Sequence, residues 1–198
     1  MNIGENFYEE LDLIGLDSKI DIFQNNDIKK VDINNFKGKW VVLFFYPADF
    51  TFICPTELSE LADKYSDFVS EGAEVISVSR DSAFVHKAWS EKDPRIGKIS
   101  YPMAADVKGD LTELFDVFEE PRGMSLRATL IIDPEGFIVS KDVNDNSIGR
   151  NIDEILRKLQ AAKFTRSNSG EVCPVNWTPK SDSLKLPELI ISKFVLSE

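Results

Sequence analysis

The chain has 198 residues, with 23 Lys and Arg against 34 Asp and Glu, a formal net charge of −11. A surface that acidic repels phosphate backbones and anionic lipid, which argues against nucleic acid or a membrane as partner. Hydrophobic residues make up 42% of the chain, enough at this length to bury a core without staples, so its two cysteines read as buried spectators or catalytic groups rather than a permanent staple.

Met1–Asn6 lacks a basic start followed by an apolar run, so no secretory signal is expected and the chain is placed in the cytoplasm. Residues 1–38 are polar and turn-rich. Within them Ile20–Phe23, Asn25-Asn26-Asp27 and Ile28–Ile33 are spaced as a β-hairpin. Trp40–Tyr46 is apolar throughout and bounded by Gly38 and Pro47, which predicts a strand buried on both faces. It is too short to cross a bilayer. Leu58, Leu61, Ala62, Tyr65 and Val69 recur at helical spacing up to Gly72, predicting one helix. Glu74–Ser79 reads as the next strand, and Val85, Ala88 and Trp89 mark a second helix. Tyr101–Ala105 reads as a short strand; Leu111, Leu114, Phe115 and Phe118 mark a third helix. Thr129–Ile132 and Phe137–Ser140 flank Asp133-Pro134-Glu135-Gly136, a hairpin signal. Ile152, Ile155, Leu156 and Leu159 mark a last helix, with Asn151 and Glu154 placed as a capping pair.

Helices alternating with buried strands, then an antiparallel pair, describe an α/β sheet. The order suits a thioredoxin-like fold with an N-terminal hairpin extension. After Lys163 the composition turns to Ser, Asn, Pro, Thr and Lys. One domain is therefore expected over 1–163, followed by a mobile C-terminal arm over 164–198 that carries Cys173.

The chemistry concentrates at Cys54. Pro is favoured at the first helical position, so Pro55 sets Cys54 at the start of the first helix. There the unsatisfied backbone N–H groups and the helix dipole favour a thiolate. Ionisation alone is not enough. A free thiol is already a few per cent thiolate at neutral pH, so full ionisation gains only about 30-fold. A fast reaction also needs groups that hold the substrate and stabilise charge on the leaving atom. Thr51 offers a hydroxyl three residues before Cys54, and Pro47 can shield the sulfur and fix the loop. Arg127, just before the predicted strand at Thr129, is the candidate cation.

Pro47, Thr51 and Cys54 match the Pro-x-x-x-Thr-x-x-Cys motif of the peroxiredoxin family. The stretch Phe45–Leu58 resembles its bacterial alkyl hydroperoxide reductase C branch. Further matches are His86-Lys87-Ala88-Trp89, Arg127-Ala128-Thr129, Ile148-Gly149-Arg150, and Gly170-Glu171-Val172-Cys173-Pro174 with Trp177. The resemblance runs over about residues 14–194. It implies a thiol-dependent peroxidase of the typical two-cysteine type, acting on hydrogen peroxide and organic hydroperoxides in antioxidant defence. Cys54 then resembles the peroxidatic cysteine and Cys173 the resolving one. Thr51 and Arg127 resemble the residues that bind and polarise the peroxide. Glu57 and Arg150 match positions that orient the site arginine. The resemblance further implies a homodimer in which the two cysteines come from different subunits, and a decamer of five dimers. It implies no cofactor, with electrons from thioredoxin or a flavin-containing disulfide reductase, and it admits a second role as a holdase chaperone.

A disulfide requires Cα atoms about 4.4–6.8 Å apart. A cysteine in the first turn of a packed helix is expected to unwind before it meets that limit with Cys173. Oxidation-sensitive relatives carry a Gly-Gly-Leu-Gly motif and a C-terminal Tyr-Phe pair. Here Arg95-Ile96-Gly97-Lys98 and Ser192-Lys193-Phe194-Val195-Leu196 stand instead, so resistance to overoxidation is expected. A dithiol oxidoreductase wants a second cysteine at position 57, which is Glu57. His86, the single histidine, lies among helical apolar residues and reads as a packing or interface residue; no metal site and no nucleotide loop are expected.

Overall fold

In the computed structural model, which describes residues 1–187, the first element is a helix that the sequence reading missed, α1 (Phe7–Leu13). The Asn6 side chain accepts from the N–H groups of Tyr8 and Glu9, and Glu9 and Glu10 complement the dipole in the first turn. Seven residues carry too little periodicity to stand out from polar neighbours. Tertiary contact supplies the rest: Phe7, Tyr8 and Leu11 are buried, and the Phe7 ring lies 5.1 Å from that of Phe115. The turn at Gly136 is shaped to this helix. Its φ of +101° favours glycine, and a Cβ there would meet the Tyr8 ring at 2.5 Å.

The predicted hairpin is present as β1 (Lys19–Gln24) and β2 (Asp27–Asp32), joined by Asn25 and Asn26 in the left-handed region. The predicted buried strand is β3 (Trp40–Phe45), with all six residues buried. There follow α2 (Cys54–Asp63), α3 (Tyr65–Ser70), β4 (Ala73–Ser79), α4 (Ala83–Lys92), α5 (Pro94–Gly97), β5 (Met103–Ala105) and α6 (Asp110–Leu114). Next come β6 (Phe118–Glu119), β7 (Met124–Ser125), β8 (Arg127–Ile132) and β9 (Ile138–Asn144). Seven strands form one sheet in the order β2-β1-β5-β4-β3-β8-β9. β3 runs parallel to β4 and antiparallel to β8, with Phe44 opposite Thr129. That register sets Arg127, the first residue of β8, beside the end of β3 and the loop that follows it.

Two helices differ from their patterns. The helix expected through Val69 is divided at Lys64, whose ψ of 3° is not helical. Tyr65 is drawn aside by its hydrogen bond to Glu74 at 2.7 Å and its edge contact with Tyr101. The break turns the face, so Phe68 is buried and Val69 is half exposed. The third helix ends at Leu114 rather than reaching Phe118, because Asp116 is left-handed and Phe118 pairs with Ser125. Asp106 secures that short helix by accepting from the N–H groups of Leu111 and Thr112 and from the Thr112 hydroxyl.

The chain groups into two units, Met1–Ile152 and a second from Asp153 onward. The second holds α7 (Ile152–Ser167), which begins one residue before the division, and a small ladder of β10 (Glu171–Val172) and β11 (Leu184–Lys185). The composition change after Lys163 thus falls inside α7. The segment beyond is anchored: Trp177 is buried, with its ring 4.9 Å from that of Phe164. The Ser192–Leu196 reading lies outside the described residues. Among the described residues no helix is long and apolar enough to cross a membrane.

Candidate active site

The strand-to-helix connection after β3 is fixed before it reaches Cys54. Tyr46 donates its hydroxyl to Asp49 Oδ1 at 2.7 Å, and His86 Nδ1 of α4 meets Asp49 Oδ2 at 2.7 Å. His86 is fully buried, and its Nε2 faces the Ala104 carbonyl at 3.4 Å. Burial pushes the Asp49 carboxyl up from its ordinary value, an effect the His86 bond and charge oppose. The Asp49 N–H is held by Asp81 at 2.9 Å. His86 therefore packs, one of the two roles read from sequence, and also anchors this loop; Tyr46, Asp49 and Asp81 were not singled out. Phe50 is left-handed, with φ of 56°, a conformation that costs a non-glycine residue and persists because its neighbours are pinned.

Cys54 is the first residue of α2, with Pro55 next, as expected. Its side chain is fully buried, yet its surroundings are not hydrocarbon. Arg127 Nη1 lies 3.4 Å from Cys54 Sγ and 2.7 Å from Glu57 Oε2. Arg127 Nε donates to the Asn146 carbonyl at 2.9 Å, so three partners fix its plane. Asn146 is in turn tied through its side-chain amide to Glu119 at 2.6 Å. It acts on Arg127 through its backbone, which no side-chain signal advertises.

Glu57, one turn beyond Cys54, bridges the two arginines. Arg150 donates to it from its backbone N–H at 2.7 Å, from Nε at 3.0 Å and from Nη2 at 3.0 Å. Arg150 Nη1 reaches the Ala128 carbonyl at 2.8 Å, and its guanidinium carbon lies 3.3 Å from the centre of the Phe44 ring. Burial alone would raise the Glu57 carboxyl; the bonds and charge of Arg150, then the charge of Arg127, outweigh it and hold the group below its ordinary value. Burial lowers Arg150, and Glu57 offsets this. Two buried guanidinium charges face one carboxylate, a surplus of one positive charge beside the sulfur.

Pro47, Thr51, Phe52, Met124, Arg127 and Asn146 help line a cleft of about 310 Å³ above this cluster. Thr51 donates its hydroxyl proton to the Ala48 carbonyl at 2.8 Å, which leaves the oxygen as an acceptor. Cys54, Glu57, Arg127 and Arg150 thus form one bonded group, and Pro47 and Thr51 share the cleft with Arg127. Cys173 belongs to the second unit, where its sulfur contacts the Ala161 carbonyl at 3.8 Å. Both cysteines are free thiols.

The sequence matches the AhpC/TSA family over residues 17–141. It is 42% identical over 167 residues to alkyl hydroperoxide reductase C of Amphibacillus xylanus, covering 84% of this chain and 89% of that protein. It is 44% identical over 155 residues to the Escherichia coli protein of the same name, covering 78% and 83%. The crystal structure of Enterococcus faecalis AhpC superposes with a TM-score of 0.81 at 42% identity, over 88% of this chain and 100% of that one. Reduced 2-Cys peroxiredoxin of Plasmodium vivax gives 0.82 at 33% identity, over 89% and 94%.

Proposed function

The chain belongs to the AhpC/TSA family and is a thiol-dependent peroxidase with a thioredoxin-like fold, and from this premise we propose that Cys54 is the peroxidatic thiolate and Cys173 its resolving partner. The observation that carries the assignment of Cys54 is the Arg127 guanidinium, 3.4 Å from the sulfur and fixed by Glu57 and Asn146. With the sulfur ionised, the buried charges of Arg127, Arg150, Glu57 and Cys54 sum to zero.

In the reaction, the Cys54 thiolate attacks one oxygen of hydrogen peroxide or an organic hydroperoxide. The S–O bond forms as the O–O bond breaks. Arg127 stabilises charge on the departing oxygen, which takes a proton to leave as water or alcohol. Thr51, with its own proton committed to Ala48, accepts from the hydroperoxide O–H and orients it. Pro47 shields the sulfur from bulk water. Glu57 and Arg150 hold Arg127 in its plane. Arg127 both touches the sulfur and lines the cleft, so one side chain links the cleft to the buried sulfur.

Cys173 then attacks the Cys54 sulfenic acid, giving a disulfide and water. A sulfur that is fully buried in the first turn of α2 cannot meet another without local opening. The amides of Cys54–Leu61 are therefore expected to exchange hydrogen roughly tenfold faster or more in the disulfide form than in the reduced form. Equal exchange would contradict this opening.

In this reading residues 1–163 hold the peroxidase machinery and 164–198 form the arm that carries Cys173. The disulfide joins subunits of a homodimer, five of which assemble into a decamer. β9 ends the seven-stranded sheet and is a ready edge for a second copy. Electrons come from thioredoxin or a flavin-containing disulfide reductase, in the cytoplasm. The test is peroxide consumption with each purified reductase, alongside non-reducing electrophoresis. The expected result is turnover with one of them and a reducible dimer band that needs both cysteines. Turnover without any such band would overturn the assignment of Cys173.

A further inference from the structure

We infer that Arg157 is a positioning residue for Cys173: it ties the Cys173–Trp177 segment to α7 and sets a positive charge beside the thiol. The inference rests on the reading of Cys173 as the resolving cysteine. Arg157, Ala161 and Phe164 recur at helical spacing and form one stripe of α7. The segment lies along that stripe. Cys173 Sγ contacts the Ala161 carbonyl at 3.8 Å, the Trp177 carbonyl accepts from Arg157 Nη1 at 3.1 Å, and the Trp177 ring lies 4.9 Å from Phe164. On its other side the guanidinium is gripped by Glu154, Nε at 2.6 Å and Nη2 at 2.8 Å. A planar fork held at three nitrogens aims its charge in a fixed direction.

The environment of Cys173 makes that charge matter. Burial pushes the thiol up, and Arg157 is the group that opposes it. Among the other charged groups nearby, Glu171 in β10 is engaged by the Ser183 hydroxyl, Lys185 in β11 lies opposite Glu171, and Glu154 is bound to Arg157 itself. In the resolving step the Cys173 thiolate attacks the sulfur of Cys54–S–OH. An S–S bond forms, the S–O bond breaks, and the departing hydroxide takes a proton to become water. The Cys173 sulfur is oxidised as the Cys54 sulfur is reduced, so no further reagent is needed. Arg157 raises the fraction of Cys173 present as the nucleophile. It favours the same anion when a reductase thiolate later displaces it from the disulfide.

The test uses the full-length protein and its variants Arg157→Met and Arg157→Lys. Each is given one equivalent of hydrogen peroxide, and disulfide formation is followed by quenched non-reducing electrophoresis across pH. Arg157→Met is expected to move the midpoint of the rate–pH curve up by about half to one unit and to slow the step roughly three- to tenfold at neutral pH. Arg157→Lys keeps the charge and is expected to hold the midpoint while changing the absolute rate. A residue that only anchors the arm would scale the rate equally at every pH. An unmoved midpoint in Arg157→Met, or the same upward shift in Arg157→Lys, would therefore overturn the inference. Cys173→Ser tests the premise separately: disulfide formation persisting in that variant shows that another thiol resolves Cys54, whatever Arg157 does.

Discussion

Cys54→Ser is expected to lower peroxide turnover to the uncatalysed background, a loss of roughly three orders of magnitude or more, without loss of the fold. The substitution is nearly isosteric, and the group it removes makes no hydrogen bond on which the sheet depends. A serine hydroxyl is not ionised at neutral pH, so Arg127 faces a neutral oxygen. The cleft, Thr51 and the guanidinium all remain, and they have no nucleophile to serve. Steady-state consumption with saturating reductase reads the effect, and circular dichroism with thermal unfolding controls for the fold. The same variant separates a holdase role from catalysis, because client holding needs no sulfur at residue 54. Substantial turnover in Cys54→Ser would remove the nucleophile assigned above.

Glu57→Gln is expected to cost about 3–5 kcal/mol of stability, because it leaves two buried guanidinium groups without their shared carboxylate. Glu57 is 4% exposed, so little water is available to replace it. The ion-pair partners are 2.7 Å away on Arg127 and 3.0 Å away on Arg150. The pH dependence has a definite sign. The folded-state Glu57 carboxyl lies below its ordinary value of 4.5. Its stabilising contribution is therefore complete above the unfolded value and is lost as pH falls through the folded one. Urea unfolding of the parent should weaken on the acid side, and Glu57→Gln should lack that share of the slope. Activity should fall too, since Arg127 loses its closest partner. A variant as stable as the parent at neutral pH would show that solvent or another carboxylate reaches the arginines.

The sequence made the chemistry easier to read than the framework around it. Cys54, Thr51 and Pro47 are legible because Pro55 fixes a helix start and the buried run Trp40–Phe45 fixes where the chain must turn. Glu57 lies one turn on, so its proximity is local. Arg127 and Arg150 are distant in sequence: Arg127 was legible only as a cation at the start of a predicted strand, and Arg150 only through the resemblance. The β3–β8 register and the carboxylate of Glu57 explain physically why they converge. What stayed hidden depends on contacts between remote residues. α1 is stable because Phe7 meets Phe115, not because seven residues form a helix unaided. The division at Lys64 follows from a bond between Tyr65 and Glu74 on the next strand. Asn146 contributes a carbonyl, which every residue has. The Asp49–His86 pair joins a loop to a helix 37 residues away, so neither partner reveals the other. The arm beyond α7 looked unanchored by composition because its anchors, Trp177 on Phe164 and the Trp177 carbonyl on Arg157 among them, are contacts with the helix before it rather than an apolar pattern of its own.

The most direct test of the thiolate at residue 54 is mass spectrometry of the reduced protein after one equivalent of hydrogen peroxide, with peptides mapped without reductant. The expected result is loss of two hydrogens per subunit and a single linked pair, the Cys54 peptide with the Cys173 peptide, with one added oxygen on Cys54 when Cys173 is replaced by serine. An unmodified Cys54 alongside oxidised Cys173 or methionine would contradict it.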